Sequence, residues 1–230
     1  MTGEEKYQVF KDRLRRRFLK HFRKAYRVLP ALDKPRILDI GCGSGVPTME
    51  LARLSGGYVI GLDIDAALVE RLKKKIEESA LKDRVSALQC SMFEMDFPEK
   101  SFDIIWAEGS IFAIGFATGL REWQRFLKPG GFLVVHDEEG DLKEKTNQIP
   151  AQGYDLLHLF ILDEKIWWDE YFTPLEKKIR EIRAKWPLDP KLSTLLDVDQ
   201  REIEMTRNNP QRTRSAYFIM KKKNSSDQPT

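Results

Sequence analysis

Cysteine, histidine and long apolar segments are scarce in this chain. Cysteine occurs only at Cys42 and Cys90, and the three histidines of the 230 residues lie far apart. Two isolated cysteines build neither a disulfide framework nor a zinc site and are typical of a reducing compartment, so we expect a cytoplasmic protein without a metal. No apolar run approaches the roughly 20 residues of a membrane span, and the first residues contain no apolar signal-peptide core. These absences argue against secreted and membrane-spanning classes.

Charge is distributed unevenly. Hydrophobic residues make up 41% of the chain and charged residues 33%, a balance typical of a globular protein. The formal net charge is +3, but residues 4–27 hold ten lysines and arginines against three acids. The basic character is therefore local, unlike that of a protein whose whole surface binds nucleic acid.

The basic segment also carries an apolar stripe, which predicts one amphipathic helix over residues 4–29. The residues of the stripe recur every three or four positions: Tyr7, Phe10, Leu14, Phe18, Phe22, Tyr26 and Leu29. We favour a helix that packs this stripe on the domain and covers a ligand pocket as a lid. The alternative is that its basic face docks on RNA or acidic lipid.

The most informative segment runs from Ile37 to Gly45. A short apolar strand is followed by glycine at every second position, and Pro47 then opens a helical run over 47–55. Glycine lets the backbone turn sharply and approach a ligand, and the helix start points unpaired N–H groups at the same place. The segment predicts a cradle for a nucleoside-like ligand. A nicotinamide dinucleotide fingerprint would need glycine where Val46 stands.

A second apolar strand over 58–63 ends in Asp63. A carboxylate at this place in α/β nucleotide sites accepts hydrogen bonds from two ribose hydroxyls. Asp65, two residues further on, is better suited to cap the helix predicted over 66–80.

Two segments resemble one enzyme family. The order Asp39-x-Gly41-x-Gly43-x-Gly45 after an apolar strand resembles motif I of the class I S-adenosylmethionine-dependent methyltransferases, and residues 127–133, Leu-Lys-Pro-Gly-Gly-Phe-Leu, are similar to a second frequent methyltransferase segment. The resemblance implies an α/β fold with a doubly wound, mainly parallel seven-stranded sheet, helices on both faces, an N-terminal lid helix and a C-terminal helical insert. It also implies S-adenosylmethionine (SAM) as cofactor, S-adenosylhomocysteine (SAH) as product, and no metal.

The family's motifs can be carried onto this chain residue by residue. Asp39 would orient the glycine loop and the cofactor's ammonium group, Asp63 would hold the ribose, and Ile64 would pack on adenine. Cys90 and Ser91 replace the usual Gly-Asp, which puts the contact with the adenine amino group in question. The cofactor-binding residues implied by the resemblance are Asp39, Gly41, Cys42, Gly43, Gly45, Asp63, Ile64, Ser91, Met92 and Glu108.

We expect one domain over residues 1–222. It divides into an N-terminal helix (1–34), a cofactor-binding core (35–140) and a substrate-side cap with the last strands (141–222), and residues 223–230 read as a disordered tail. The other predicted strands are 85–89, 132–135, 154–162 and 216–220, and residues 101–110 are predicted to form the fourth strand and its exit loop. The other predicted helices are 117–127 and 163–186, the latter broken by Pro174.

The sequence says less about which residues bind the methyl acceptor. Glu108 could receive a substrate proton or hold a substrate ammonium, or else contact the cofactor or cap a helix. His136 is a candidate general base or a structural residue. The aromatic cluster of Trp167, Trp168 and Tyr171 could surround a cationic or planar acceptor, although aromatic residues at helical spacing more often simply pack.

The resemblance implies methyl transfer by in-line displacement to a small-molecule acceptor, with catalysis resting on alignment and exclusion of water. Two alternatives stay open: an RNA methyltransferase that docks through the basic helix, and a SAM-binding protein without activity. A nicotinamide oxidoreductase is disfavoured by Val46.

Overall fold

A computed structural model describes residues 2–185, 189–209 and 213–224. The helices are α1 (Gly3–Arg17), α2 (Leu19–Tyr26), α3 (Val46–Ser55), α4 (Ala66–Glu77), α5 (Phe116–Gln124), α6 (Leu142–Ala151), α7 (Glu164–Trp167), α8 (Thr173–Lys185) and α9 (Pro190–Asn208). The strands are β1 (Arg36–Ile40), β2 (Tyr58–Asp63), β3 (Val85–Gln89), β4 (Phe102–Glu108), β5 (Leu127–Glu138), β6 (Tyr154–Leu162) and β7 (Ser215–Lys222). In these parts of the chain, none of the helices combines the length and apolarity needed to cross a bilayer.

The strands form one seven-stranded sheet in the order β3-β2-β1-β4-β5-β7-β6. Strands β1 to β5 pair in parallel, and β7 is antiparallel, which confirms the predicted doubly wound, mainly parallel sheet. The chain order reverses at β1, whose neighbours are β2 and β4. Open α/β sheets bind ligands at such a switch point, outside the carboxyl ends of the strands.

The described residues divide into two compact units. We call them the helical unit, which consists of the described residues within Met1–Lys20, Glu138–Gly140 and Ile161–Ser215, and the sheet unit, which consists of those within His21–Asp137, Asp141–Phe160 and Ala216–Thr230. Each unit has its own buried residues.

The sheet unit buries its central strands almost completely. Four of the five residues of β1 and all of Ile104–Ala107 in β4 are buried. Parallel strands that are covered on both faces have continuous apolar sequences, and these runs allowed the strands to be predicted from the sequence. Trp106 and Trp123 are among the largest side chains in this core.

The helical unit is fastened by a buried polar contact between α1 and α9. The Tyr7 hydroxyl donates to Asp199 Oδ2 over 2.7 Å, and Lys11 Nζ lies 2.6 Å from Asp199 Oδ1. Phe18 packs on Trp167 with ring centroids 4.5 Å apart. The apolar stripe of α1 is therefore used for packing within this unit.

The prediction of one helix over 4–29 is wrong. The α1 helix ends at Arg17, Phe18 caps it, and α2 begins at Leu19. Because the apolar spacing continues through Phe18, the sequence pattern does not reveal the interruption.

Other boundaries also differ from the prediction. Helix α4 ends at Glu77 and α5 ends at Gln124, each three residues early, the latter because Leu127 already pairs with Phe102 in the sheet. Residues 128–131, predicted as a turn before a strand, lie inside β5, where they shift the register of its pairing with β4.

The segment predicted as one helix over 163–186 consists of α7, a π-helical turn and α8. Pro174 is the second residue of α8, and Trp186 lies outside the described residues. Helices α6 and α9 were not predicted. Of the tail 223–230, predicted to be disordered, only residues 223 and 224 are described, and the rest lie outside the described residues.

Candidate functional site

The three glycines of the loop after β1 have different surroundings. All three have positive φ, and a Cβ on Gly41 would lie 2.4 Å from Ser110 Cβ, while one on Gly45 would lie 2.2 Å from Leu72 Cδ1. A Cβ on Gly43 would meet no atom within 4 Å. Gly41 and Gly45 therefore permit close packing against the exit of β4 and against α4, whereas Gly43 borders open space.

Asp39 lies beneath this loop and is fully buried. Its Oδ2 accepts a hydrogen bond of 2.6 Å from the Thr48 hydroxyl, and no described residue hydrogen-bonds to Oδ1. Burial raises the pKa of Asp39 from 3.8 to about 7, against the lowering effect of Thr48, and the charges of Glu108 and Asp63 raise it further. Asp39 thus joins β1 to α3 and contributes to a cluster of three carboxylates.

Asp63 is held by two backbone amides. The N–H of Gly43 donates to Oδ2 over 2.8 Å, and the N–H of Asp65 donates to Oδ1 over 3.0 Å. A carboxylate oxygen has two lone pairs, so each oxygen can accept one further hydrogen bond. Asp65 caps α4 by accepting from the N–H groups of Ala67 and Leu68, which confirms its predicted role.

The ends of β2 and β3 present apolar surface. The N–H of Cys90 donates to the Asp63 carbonyl over 3.0 Å, which joins the two strand ends. Ile64 is 71% exposed and Phe93 is 65% exposed. Ser91 Oγ accepts from the Phe93 N–H over 3.2 Å, and Met92 is half-buried. This is the surface on which the resemblance placed adenine, and Phe93 was not predicted as part of it.

Cys42 is buried within the loop, and its N–H donates to the Leu62 carbonyl. Burial, together with the charges of Asp39 and Asp63, raises the pKa of its thiol. A protonated, buried thiol is not a nucleophile, so Cys42 contributes backbone geometry to the loop.

The structure brings the two candidate acid–base residues together. Glu108 and His136 are register partners in the parallel pair β4–β5, and Glu108 Oε2 lies 3.3 Å from His136 Nδ1. The Trp106 indole N–H donates to Glu108 Oε1 over 3.0 Å. The Tyr217 ring stacks on His136 with centroids 4.1 Å apart, and burial and the Glu108 charge raise the pKa of Tyr217 well above its usual value.

Sequence reasoning missed Trp106 and Tyr217. Trp106 lies within the apolar strand β4 and could have been found from its spacing of two residues from Glu108, which places both side chains on one face of that strand. Tyr217 lies in β7, and no local signal links it to β5. Ser110 was also missed, although its hydroxyl donates to the Ile40 carbonyl over 2.6 Å and so fastens the glycine loop to β4.

Helix α2 of the sheet unit packs against the same strand. The Phe22 ring lies 4.4 Å and the Tyr26 ring 6.4 Å from the Trp106 ring. Arg23 Nε lies 2.6 Å from Glu50 Oε1 on α3. The second half of the predicted lid helix is thus a fixed part of the sheet unit.

The three aromatic residues predicted on the substrate side lie in the helical unit. Trp167 packs on Phe18 and donates its indole N–H to Ser215 Oγ over 2.9 Å. Trp168 packs on Phe172, and burial raises the pKa of Tyr171 to about 12. This packing accounts for the cluster, and a substrate contact stays a prediction.

The chain is similar to known proteins over the segment that contains the glycine loop. Residues 37–131 match a family model described as a methyltransferase domain. A sterol 24-C-methyltransferase of Gibberella zeae, ERG6B, is 30% identical over 137 residues, which are 56% of this chain and 36% of that protein. The chain spans between 27% and 53% of the length of the first curated relatives it matches.

Solved structures share the fold. A SAM-dependent methyltransferase of Thiobacillus denitrificans in complex with SAH aligns with a TM-score of 0.68 at 20% identity over 86% of this chain and 88% of that one. The cyclase SpnF aligns with a TM-score of 0.71 at 20% identity over 88% and 81%. The match over residues 37–131 and the strand order together make this chain similar to the class I S-adenosylmethionine-dependent methyltransferases.

Proposed function

We propose that this protein binds SAM at the carboxyl ends of β1, β2 and β4 and transfers its methyl group to a small-molecule acceptor. One observation carries the proposal: the Asp63 carboxylate is fixed by the Gly43 N–H beside the open side of the glycine loop. An oriented acceptor pair next to accessible backbone is what a ribose needs. The SAH complex of the structural neighbour and the methyltransferase family model support it.

The residues at the switch point fit such a ligand. SAM is cationic at sulfur, and the carboxylates of Asp39, Asp63 and Glu108 interact electrostatically in this region. Asp39 adds to this negative potential only as it ionises, because burial raises its pKa to about 7. Asp63 would hold the ribose, Gly43 would allow close approach of the backbone, and the surface of Ile64, with Ser91 and Met92 beside it, would receive the adenine.

When bound, SAM supplies an electrophilic methyl group to a nucleophile in line with its carbon–sulfur bond. The chain's own residues contribute position. The Gly41–Ser110 contact fixes the loop against β4, and the Asp39–Thr48 hydrogen bond fixes it against α3. Alignment of two reactants and exclusion of water supply several kcal/mol without a dedicated acid or base.

Part of the basic N-terminal segment is paired with acids, which favours a small acceptor over RNA. Lys11 is ion-paired with Asp199, and Lys20 with Glu170. A lysine already matched by a carboxylate releases fewer counterions on a phosphate backbone, so its contribution to RNA affinity is reduced. The relative that methylates a sterol also has a small acceptor. We extend the proposal to a cytoplasmic location, which the free thiols of Cys42 and Cys90 support.

The test is a calorimetric titration of the wild type, Asp63→Ala and Asp83→Ala with SAM and SAH. We expect micromolar binding by the wild type and a loss of at least tenfold in Asp63→Ala, which is about 1.4 kcal/mol. Asp83 is an exposed acid of the same unit and serves as the matched control. A folded wild type that binds neither ligand would contradict the proposal. Binding without formation of SAH across a broad acceptor panel would favour the non-catalytic alternative.

A further inference from the structure

The Glu108 carboxylate is held in one orientation at the end of β4. One oxygen accepts from the Trp106 indole N–H over 3.0 Å, and the other lies 3.3 Å from His136 Nδ1. His136 is itself buried against the Tyr217 ring. Donors on two neighbouring strands thus fix both oxygens, and the side chain has little freedom to turn away.

This carboxylate also borders open space. The Glu108 side chain is 17% exposed, whereas that of His136 is 6% exposed, so the carboxylate stands in front of the imidazole. The next residue, Gly109, has a φ of +60°, and a Cβ built on it would meet no atom within 4 Å. Glu108 lies at the same edge of the sheet as Gly43, the other glycine of the site that faces open space.

No lysine or arginine of the described residues forms an ion pair with Glu108. Across the described residues, His136 is the only basic side chain within ion-pair distance of it. The neighbouring charged groups are acids, Asp39 and Asp63, with the buried Tyr217 phenol behind. A partly desolvated carboxylate among other carboxylates is costly unless a cation meets it. The same field repels phosphate or carboxylate groups on an acceptor.

We propose that Glu108 binds the ammonium group of the acceptor and takes up its proton, which makes the acceptor a primary or secondary amine. This inference rests on the proposed function. An ammonium needs a counter-charge to bind and a base to free its lone pair, and one carboxylate serves both needs. On protein that holds SAH, whose sulfur is uncharged, a neutral alcohol or alkene would leave the charge of Glu108 unmatched.

The proposed reaction balances. The N–H proton of the ammonium passes to the Glu108 carboxylate and from there to solvent. The freed nitrogen lone pair forms the new nitrogen–carbon bond as the carbon–sulfur bond breaks and its electrons return to sulfur. His136 and Trp106 act as positioning residues, because their hydrogen bonds hold the carboxylate in place.

If the role of Glu108 is purely structural, we expect a different effect of its substitution on ligand binding. If Glu108 only ties Trp106 to His136, Glu108→Gln, which has nearly the same shape, retains that role and leaves ligand binding unchanged. If Glu108 is the counter-charge, the same substitution removes the affinity for amines. Glu108→Asp retains the charge on a shorter side chain and is expected to retain part of that affinity.

The experiment is calorimetry on protein saturated with SAH. The probes are three matched pairs: benzylamine and benzyl alcohol, 2-phenylethylamine and 2-phenylethanol, and hexylamine and hexanol. We expect at least one amine to bind the wild type tenfold or more tightly than its alcohol, and Glu108→Gln to lose at least tenfold for that amine. Urea unfolding of Glu108→Gln and Glu108→Asp shows that each variant is folded.

Three results would overturn the inference: no amine binds, an amine binds no better than its alcohol, or Glu108→Gln binds amines as the wild type does. The titration of the wild type with SAH comes first and separates the two proposals. Failure to bind SAH refutes the proposed function. Binding of SAH without amine binding that depends on Glu108 refutes only the amine inference.

Discussion

Replacing Asp39 by asparagine tests whether burial beneath the glycine loop raises the pKa of this carboxyl group. Asp39 is fully buried, and burial raises its pKa from 3.8 to about 7. The folded protein therefore holds the proton more tightly than the unfolded chain. The stability linked to this group is greatest at low pH and falls as pH rises from about 4 to about 7.

The magnitude follows from the pKa shift. Between pH 5 and pH 8, the unfolded chain gains more from ionisation of Asp39 than the folded protein does, and the difference is on the order of 3 kcal/mol. In Asp39→Asn the Thr48 hydroxyl can still donate to the side-chain oxygen, but nothing titrates. We expect the free energy of unfolding of Asp39→Asn, relative to the wild type, to rise by about 3 kcal/mol between these pH values.

The assay is urea unfolding followed by tryptophan fluorescence at pH 5 and pH 8. Only the change in the difference between variant and wild type is interpreted, because other groups titrate in both proteins. Thr48→Val is the companion variant: it removes the hydrogen bond that lowers the pKa of Asp39, so its stability should fall more steeply than that of the wild type. A difference between Asp39→Asn and wild type that is the same at both pH values would refute the reasoning.

Two further predictions concern packing. In a thermal melt, Gly41→Ala should lower the melting temperature more than Gly43→Ala does. Both positions have positive φ, but only a Cβ at Gly41 would collide with Ser110. Equal effects of the two substitutions would contradict the close contact. Tyr7→Phe should lower the free energy of unfolding in urea by about 1–2 kcal/mol, because it removes a buried hydrogen bond to Asp199, and an unchanged midpoint would show that this contact is not made.

The sequence predicted best those elements whose signal is local. Strands β2, β3 and β6 begin and end where their apolar runs predict, because glycine, aspartate or proline punctuates each run. The glycine loop, Asp63 and the Asp65 cap follow from the same local chemistry. The helix boundary at Phe18 could not be predicted, because the spacing of apolar residues is continuous through it.

The site depends on contacts that are distant in sequence. Glu108 and His136 could each be predicted from their places at strand ends, but their pairing depends on the register of β4 against β5. Tyr217 comes from an antiparallel strand near the end of the described chain, and its stacking on His136 follows only from the order of the strands. Local patterns thus predict the cofactor side of the site better than the acceptor side.

The most direct test of the account is a crystal structure of the protein with SAH. The account predicts electron density for the nucleoside at the ends of β1 and β2, with ribose hydroxyls within hydrogen-bond distance of Asp63 and the backbone of Gly43 beside the ligand. Density for SAH at another place, or a glycine loop closed over an empty crevice at saturating SAH, would contradict it.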